Sequence, residues 1–219
     1  MSDGASAAND FVHEPGLSKE EIALRYSKWA QGAQYEKDLS EENYKGPTIT
    51  ADVLAELFPY EDSRGDVYIL DVAAGSGFVG EKLVQKGFKT LDALEPSEGM
   101  LNLAKGKGIY TRTFQTFLNG TSSFIQSDFY DVALTSGGMG EGHIPCSGLE
   151  ELIRVVKPGG LAVIVMRETY LTSVVEYKDR LEPRMKELEL EGKWTSVMRR
   201  VVPKYSFENN GVVFVFRAL

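Results

Sequence analysis

The chain has 219 residues, of which 42% are apolar and 26% charged. At about 150 residues per domain this suits one domain with a small appendage, and it excludes collagen-like, disulfide-scaffold and wholly disordered chains. Lys plus Arg is 24 against 32 Asp plus Glu, a net charge of −8 that repels phosphate backbones and argues against bulk nucleic-acid binding.

Residues 1–16 are small and polar without periodicity and are expected to be a disordered tail. Ser18 with Glu21 three positions on is a capping box, and Ile22, Tyr26, Trp29 and Ala30 follow at helical spacing. Gly46-Pro47 closes that unit. Ile49, Val53, Leu54, Leu57 and Phe58 mark a second amphipathic helix, stopped by the loop cluster at 61–65. Residues 17–60 are read as an N-terminal helical lid and 61–219 as the core.

From residue 67 the pattern changes. Short strands are expected over 67–73, 91–94, 109–111, 130–135 and 161–167. Helices are expected over 78–86, after the capping Ser97, and along Leu149, Leu152, Ile153 and Val156; Lys157-Pro158-Gly159-Gly160 stops the last of these. Residues 112–127 carry no clear period. A helical stripe at Tyr177, Leu181, Met185 and Leu188 precedes two strands, 194–202 and 212–216, with Asn209-Asn210-Gly211 as the turn between them. Strands alternating with helices imply parallel βαβ units. The expected fold is therefore α/β, a doubly wound, Rossmann-like, mostly parallel seven-stranded sheet ending in a C-terminal antiparallel hairpin.

The most informative stretch is Asp71-Val72-Ala73-Ala74-Gly75-Ser76-Gly77-Phe78-Val79-Gly80, where the first strand meets the first core helix. Ligands of such sheets bind outside the carboxyl ends of the strands, and small residues there let the backbone approach them. Glu95 ends the next strand, 20 residues after Gly75, where a carboxylate can accept from both ribose hydroxyls. Loop and carboxylate together describe an adenosine site. Gly75-x-Gly77-x-x-Gly80 also matches the dinucleotide fingerprint, so an NAD(P)-dependent oxidoreductase is an alternative. Against it, Asp71 puts negative charge where a pyrophosphate would sit and suits a cationic cofactor instead.

Four segments in this order, Asp71-Val-Ala-Ala-Gly75-Ser-Gly77, Glu95-Pro96-Ser97, Tyr130-Asp131-Val132-Ala133-Leu134 and Arg154-Val-Val-Lys-Pro-Gly-Gly160, resemble the successive motifs of class I S-adenosylmethionine-dependent methyltransferases. Ala73 departs from the glycine that many members carry. Tyr26-x-x-Trp29-Ala30 with Tyr35 and Asp38-Leu39, Tyr44-x-Gly46-Pro47, and Ser136-Gly-Gly-Met-Gly140-Glu141-Gly142-His143-x-Pro145-Cys146 are similar to the Williams–Beuren-region methyltransferase-like family. The resemblance implies S-adenosylmethionine as cofactor, with Glu95 on the ribose and Asp71 on the amino-acid end, directly or through water. Tyr26, Trp29, Ala73, Gly75, Gly77, Pro96, Ser97, Met100, Ser136 and Gly137 complete the expected cofactor contacts.

Other candidates carry two readings each. Tyr26, Trp29 and Tyr35 at helical spacing suit core packing; they equally suit a lid whose aromatic faces attract a sulfonium. His143 and Glu141 follow the fourth strand. His143 reads as a loop histidine or as a general base, and Glu141 as a base, an orienting group or a partner for a cationic substrate. Arg167, with Tyr170 beyond it, is a solvated loop charge or a carboxylate or phosphate clamp on the acceptor. Tyr35 and Met139 join the expected substrate contacts. Cys146 has no visible thiolate-stabilising neighbour, and two histidines with one cysteine show no metal spacing.

Cys146 alone permits no intramolecular disulfide, which fits a reducing compartment. Residues 1–16 lack the segments of a secretory leader, and the apolar run at 161–166 is far shorter than the ~20 residues of a membrane-crossing helix. The expectation is a cytoplasmic enzyme that methylates an oxygen or nitrogen of a small molecule, with no nucleic-acid or membrane partner. A non-catalytic cofactor-binding module acting through a protein partner is a further alternative. Oligomeric state is not legible.

Overall fold

The computed structural model describes residues 8–118 and 125–219. The strands are β1 (Tyr68–Val72), β2 (Thr90–Leu94), β3 (Arg112–Phe114), β4 (Tyr130–Ser136), β5 (Val156–Arg167), β6 (Trp194–Ser206) and β7 (Asn209–Ala218). They form one sheet in the order β3-β2-β1-β4-β5-β7-β6. The strands from β1 to β5 pair in parallel, and β7 is antiparallel to both β5 and β6. This is the doubly wound sheet with a terminal hairpin expected from the sequence.

The helices are α1 (Lys19–Trp29), α2 (Gln34–Asp38), α3 (Gly46–Leu57), α4 (Phe78–Gln85), α5 (Glu98–Gly106), α6 (Gly148–Val155), α7 (Tyr170–Ser173) and α8 (Leu181–Leu190). Central strands are apolar at successive positions because successive side chains enter opposite cores. On one face Leu70, Val72, Ala133, Ile164 and Phe214 pack with Leu149, Leu152 and Leu181 of the covering helices. On the other, Ile69, Val132, Leu134, Val163 and Val165 pack with Val53, Leu54, Val79 and Leu83. The strands' carboxyl ends, between these layers, are covered by the N-terminal segment through a third cluster of Val12, Trp29 and Leu39.

Several expectations are corrected. Residues 8–12 are helical, and Val12 is fully buried, so this part of the chain is not a disordered tail. Its contacts with Trp29 and Leu39 and the bonds from Arg25 to Phe11 O and Glu14 tie it down; residues 1–7 of the same expectation lie outside the described residues. Gly46-Pro47 opens α3 rather than only closing the preceding unit, since proline is pre-organised for a first helical turn. The third strand is 112–114, not 109–111: Asp92 draws the Arg112 N–H and guanidinium into the sheet edge, while Tyr110 turns toward Asp71. The hairpin turns at Phe207 and Glu208, and Asn209 to Gly211 belong to β7. A Cβ on Gly211 would lie 2.8 Å from the Tyr205 ring, so this glycine permits close approach rather than a turn. Tyr177 precedes α8 instead of lying on its stripe.

Candidate active site

The loop after β1 is built on left-handed backbone. Ala73, Gly75 and Gly77 have φ of 57, 56 and 92°. At Ala73, where glycine would be free, the methyl group costs about 1–2 kcal/mol. Gly80 serves packing: a Cβ there would collide with the Tyr110 hydroxyl. That hydroxyl donates to Asp71 Oδ2 at 2.7 Å.

Glu95 is 6% exposed. Its Oε2 accepts from the Gly75 N–H at 2.9 Å and its Oε1 from the Ser97 N–H at 2.8 Å. Burial nevertheless raises its pKa to about 7. Burial also raises Asp71 to about 7, with Glu95 adding repulsion, while the Tyr110 bond pulls the other way. Asp71 Oδ1 is buried without a hydrogen-bond partner. Glu95, with lone pairs to spare, suits a ligand that brings hydroxyl donors, and the buried Asp71 carboxyl nearby suits one that brings a positive charge.

A cavity of about 630 Å³ lies over the strand ends. It is lined by Tyr26, Trp29, Tyr35, Ala73, Gly75, Glu95, Pro96, Met100, Ser136, Gly137, Met139, Glu141, His143, Arg167 and Tyr170, fifteen of the eighteen residues singled out in the sequence. The other three stand behind its wall. Asp71 is held by Tyr110, Gly77 passes beneath the Tyr110 ring, and Ser97 caps α5 while sharing a 2.8 Å bond with Ser27.

The loop after β4 carries His143. Its Nδ1 lies 2.7 Å from the Glu141 carbonyl, which only accepts, so Nδ1 holds the proton. Nε2 therefore accepts from the Tyr26 hydroxyl at 2.9 Å. His13 stacks on His143 with centroids 4.5 Å apart. Burial lowers His143 to about 3 and His13 to about 4, so both rings are neutral at pH 7. Tyr177 fixes the loop from below: its hydroxyl accepts from the Gly140 N–H at 3.0 Å and donates to Ile144 O at 2.7 Å. Tyr44 closes the far wall between Ser136 and Tyr205.

Sequence reasoning missed His13, Tyr110, Tyr177 and Tyr205 as parts of this region. His13 falls in the stretch expected to be a tail, Tyr177 falls in a helical stripe, and no local pattern marks Tyr110 or Tyr205. Tyr44 was visible only through its Tyr-x-Gly-Pro motif.

Residues 69–160 match the family described as a methyltransferase domain. Over 173 residues the chain is 32% identical to human methyltransferase-like protein 27, covering 79% of this chain and 68% of the human protein. It is 35% identical over 97 residues to the demethylmenaquinone methyltransferase of Clavibacter sepedonicus, of which that match spans 39%. Among solved structures it is similar to the Burkholderia thailandensis 1,6-didemethyltoxoflavin-N1-methyltransferase with bound 1,6-didemethyltoxoflavin and S-adenosylhomocysteine. That likeness has a TM-score of 0.63 at 17% identity, over 93% of this chain and 91% of the other. A TehB-like methyltransferase of Corynebacterium glutamicum gives 0.60 at 17% identity, over 90% and 99%.

Sheet order, glycine loop and downstream carboxylate are thus those of a class I methyltransferase using S-adenosylmethionine, and the oxidoreductase alternative falls away. The chain belongs to the methyltransferase-like family of the human protein. Among the described residues no helix is long and apolar enough to cross a membrane.

Proposed function

We propose that this enzyme methylates an oxygen or nitrogen atom of a small molecule. One observation carries the reading. The N-terminal segment lies across the strand ends, with His13 stacked on His143 and Tyr26 bonded to it, so the acceptor must fit within the lined cavity beside the cofactor. About 630 Å³ is the size of a small-molecule site.

S-Adenosylmethionine supplies an electrophilic methyl group on a sulfonium sulfur. Glu95 would hold the ribose hydroxyls, the Asp71 side its amino-acid end, and Pro96 and Met100 the adenine. Tyr26, Trp29 and Tyr35 present aromatic faces favourable to positive charge. His143, at about 3, binds a proton too weakly to serve as a base at neutral pH. We assign it the positioning of the Tyr26 hydroxyl, with catalysis resting on proximity and alignment. Glu141 contributes its backbone carbonyl, which fixes the His143 tautomer.

The test is incubation with methyl-labelled cofactor and a whole-cell extract separated by size. Label is expected in the low-mass fraction and lost with Glu95→Ala. Label in the protein or nucleic-acid fraction would overturn the small-molecule reading.

A further inference from the structure

Arg167 stands out among the cavity residues. It ends β5, half-buried, with Nη2 donating to Ser206 Oγ at 3.1 Å and its guanidinium 5.1 Å above the Tyr170 ring. Among the described residues no carboxylate lies within 4.0 Å of it. Every other arginine there faces a carboxylate, except Arg217, which is exposed. Its guanidinium lines the partly open cavity with no carboxylate beside it. Ser206 is the protein acceptor it meets, and its planar fork matches a carboxylate in two parallel bonds.

The surroundings narrow the ligand further. His13, beside Arg167, is neutral at pH 7. Lys19, the other cation of the lining, sits over Phe117 and pairs with Glu20. Of the acidic lining residues, Glu95 is held on the Gly75 and Ser97 N–H groups and Glu176 pairs with Arg180, while Glu141 adds negative charge to the cavity; a single guanidinium in this acidic lining favours a singly charged carboxylate over a doubly charged phosphate. The adjoining walls are ring faces: Tyr170 lies under Arg167 and beside His13, at 5.7 Å between centroids, and Tyr44 meets Tyr205 edge to face at 5.4 Å. Such walls favour a flat ring over a branched aliphatic body.

We propose that the methyl acceptor is a planar aromatic monocarboxylate, anchored by its carboxylate on Arg167 and Ser206. This rests on the methyl-transfer reading above and names its substrate class. A carboxylate neutralised by a guanidinium is a weak nucleophile, so the methylated atom is a different oxygen or nitrogen of the same molecule.

The experiment uses the full chain saturated with S-adenosylhomocysteine. Binding of 4-hydroxybenzoate, 4-hydroxybenzamide and phenyl phosphate is followed by saturation-transfer NMR. The benzoate is expected to bind at least about tenfold more tightly than the amide or the phosphate, the loss of one charge-assisted bond being worth a factor of that order. Arg167→Gln is expected to abolish that preference and Arg167→Lys to retain part of it, both keeping wild-type affinity for S-adenosylhomocysteine. Absence of benzoate binding, equal binding of the amide, tighter binding of the phosphate, or unchanged benzoate binding in Arg167→Gln overturns the proposal. Failure of the wild type to bind S-adenosylhomocysteine would instead strike the methyl-transfer reading itself.

Discussion

Cofactor binding should release protons. Asp71 and Glu95 are both lifted to about 7 by burial, from ordinary values of 3.8 and 4.5. A cationic, hydroxyl-bearing cofactor is best received by the ionised forms. Lowering the pH from 7 to 6 then costs up to about tenfold in affinity for each carboxyl that must ionise, or about 1.4 kcal/mol. Because Glu95 repels charge on Asp71, the two titrate as a pair, and the combined loss should lie between about tenfold and a hundredfold. The assay is calorimetric titration with S-adenosylhomocysteine at pH 6.0 and 7.5, each in two buffers of different ionisation enthalpy, about 1.5 pH units spanning the transition. Affinity should rise with pH, and the buffer dependence should report between about one and two protons released at the lower pH. Glu95→Gln should remove Glu95's share of the release. A dissociation constant independent of pH, with no buffer dependence, would refute the reasoning.

The same groups shape stability in opposite directions. Raised carboxyls make the folded state bind more protons than the unfolded one from their ordinary values near 4 up to about 7, so their contribution falls as pH rises through that window. His13 and His143 are lowered to about 4 and about 3, so the unfolded state binds more protons between there and 6.5, and their contribution rises. Thermal melts of the ligand-free wild type should therefore be comparatively flat from about pH 4.5 to 6.5, while Glu95→Gln melts higher as pH rises; a flat variant profile would contradict the assignment. Tyr177→Phe leaves the buried Gly140 N–H and Ile144 carbonyl without their partner and should cost about 1–3 kcal/mol by denaturant titration. Asp92→Ala leaves the buried Tyr130 hydroxyl without its acceptor, while the half-exposed Arg112 turns to solvent; it should cost about 1–3 kcal/mol, with S-adenosylhomocysteine affinity of the folded fraction unchanged.

The parts of this fold legible in the sequence are those coded locally. The Ser18–Glu21 capping box, the Ser97 cap and the apolar runs of β1, β4 and β5 declare themselves within a few residues, and the glycine loop with Glu95 needs only spacing. The failures are tertiary. Arg112 reads as a poor strand residue until Asp92, 20 positions earlier, is seen to receive it. Asn-Gly in the hairpin signals a turn, yet Tyr205 needs the space at Gly211, and Phe207 is drawn to the Asn43 carbonyl, so the reversal moves to 207–208. His13 lies in a segment of small polar residues, and only its stack on His143, 130 positions on, makes it part of the cavity wall. Tyr110 gives no local sign that it is bonded to Asp71.

The central claim is that Glu95 and Asp71 make this cavity a site for S-adenosylmethionine, and one titration tests it most directly. Wild type, Asp71→Ala and Glu95→Ala are titrated at pH 7.5 with S-adenosylhomocysteine and, as a control, with NADH. Binding of S-adenosylhomocysteine by the wild type, weakened at least about tenfold in each variant, with no NADH signal, is the predicted result. Unchanged affinity in both variants, or binding of NADH in place of S-adenosylhomocysteine, would contradict it.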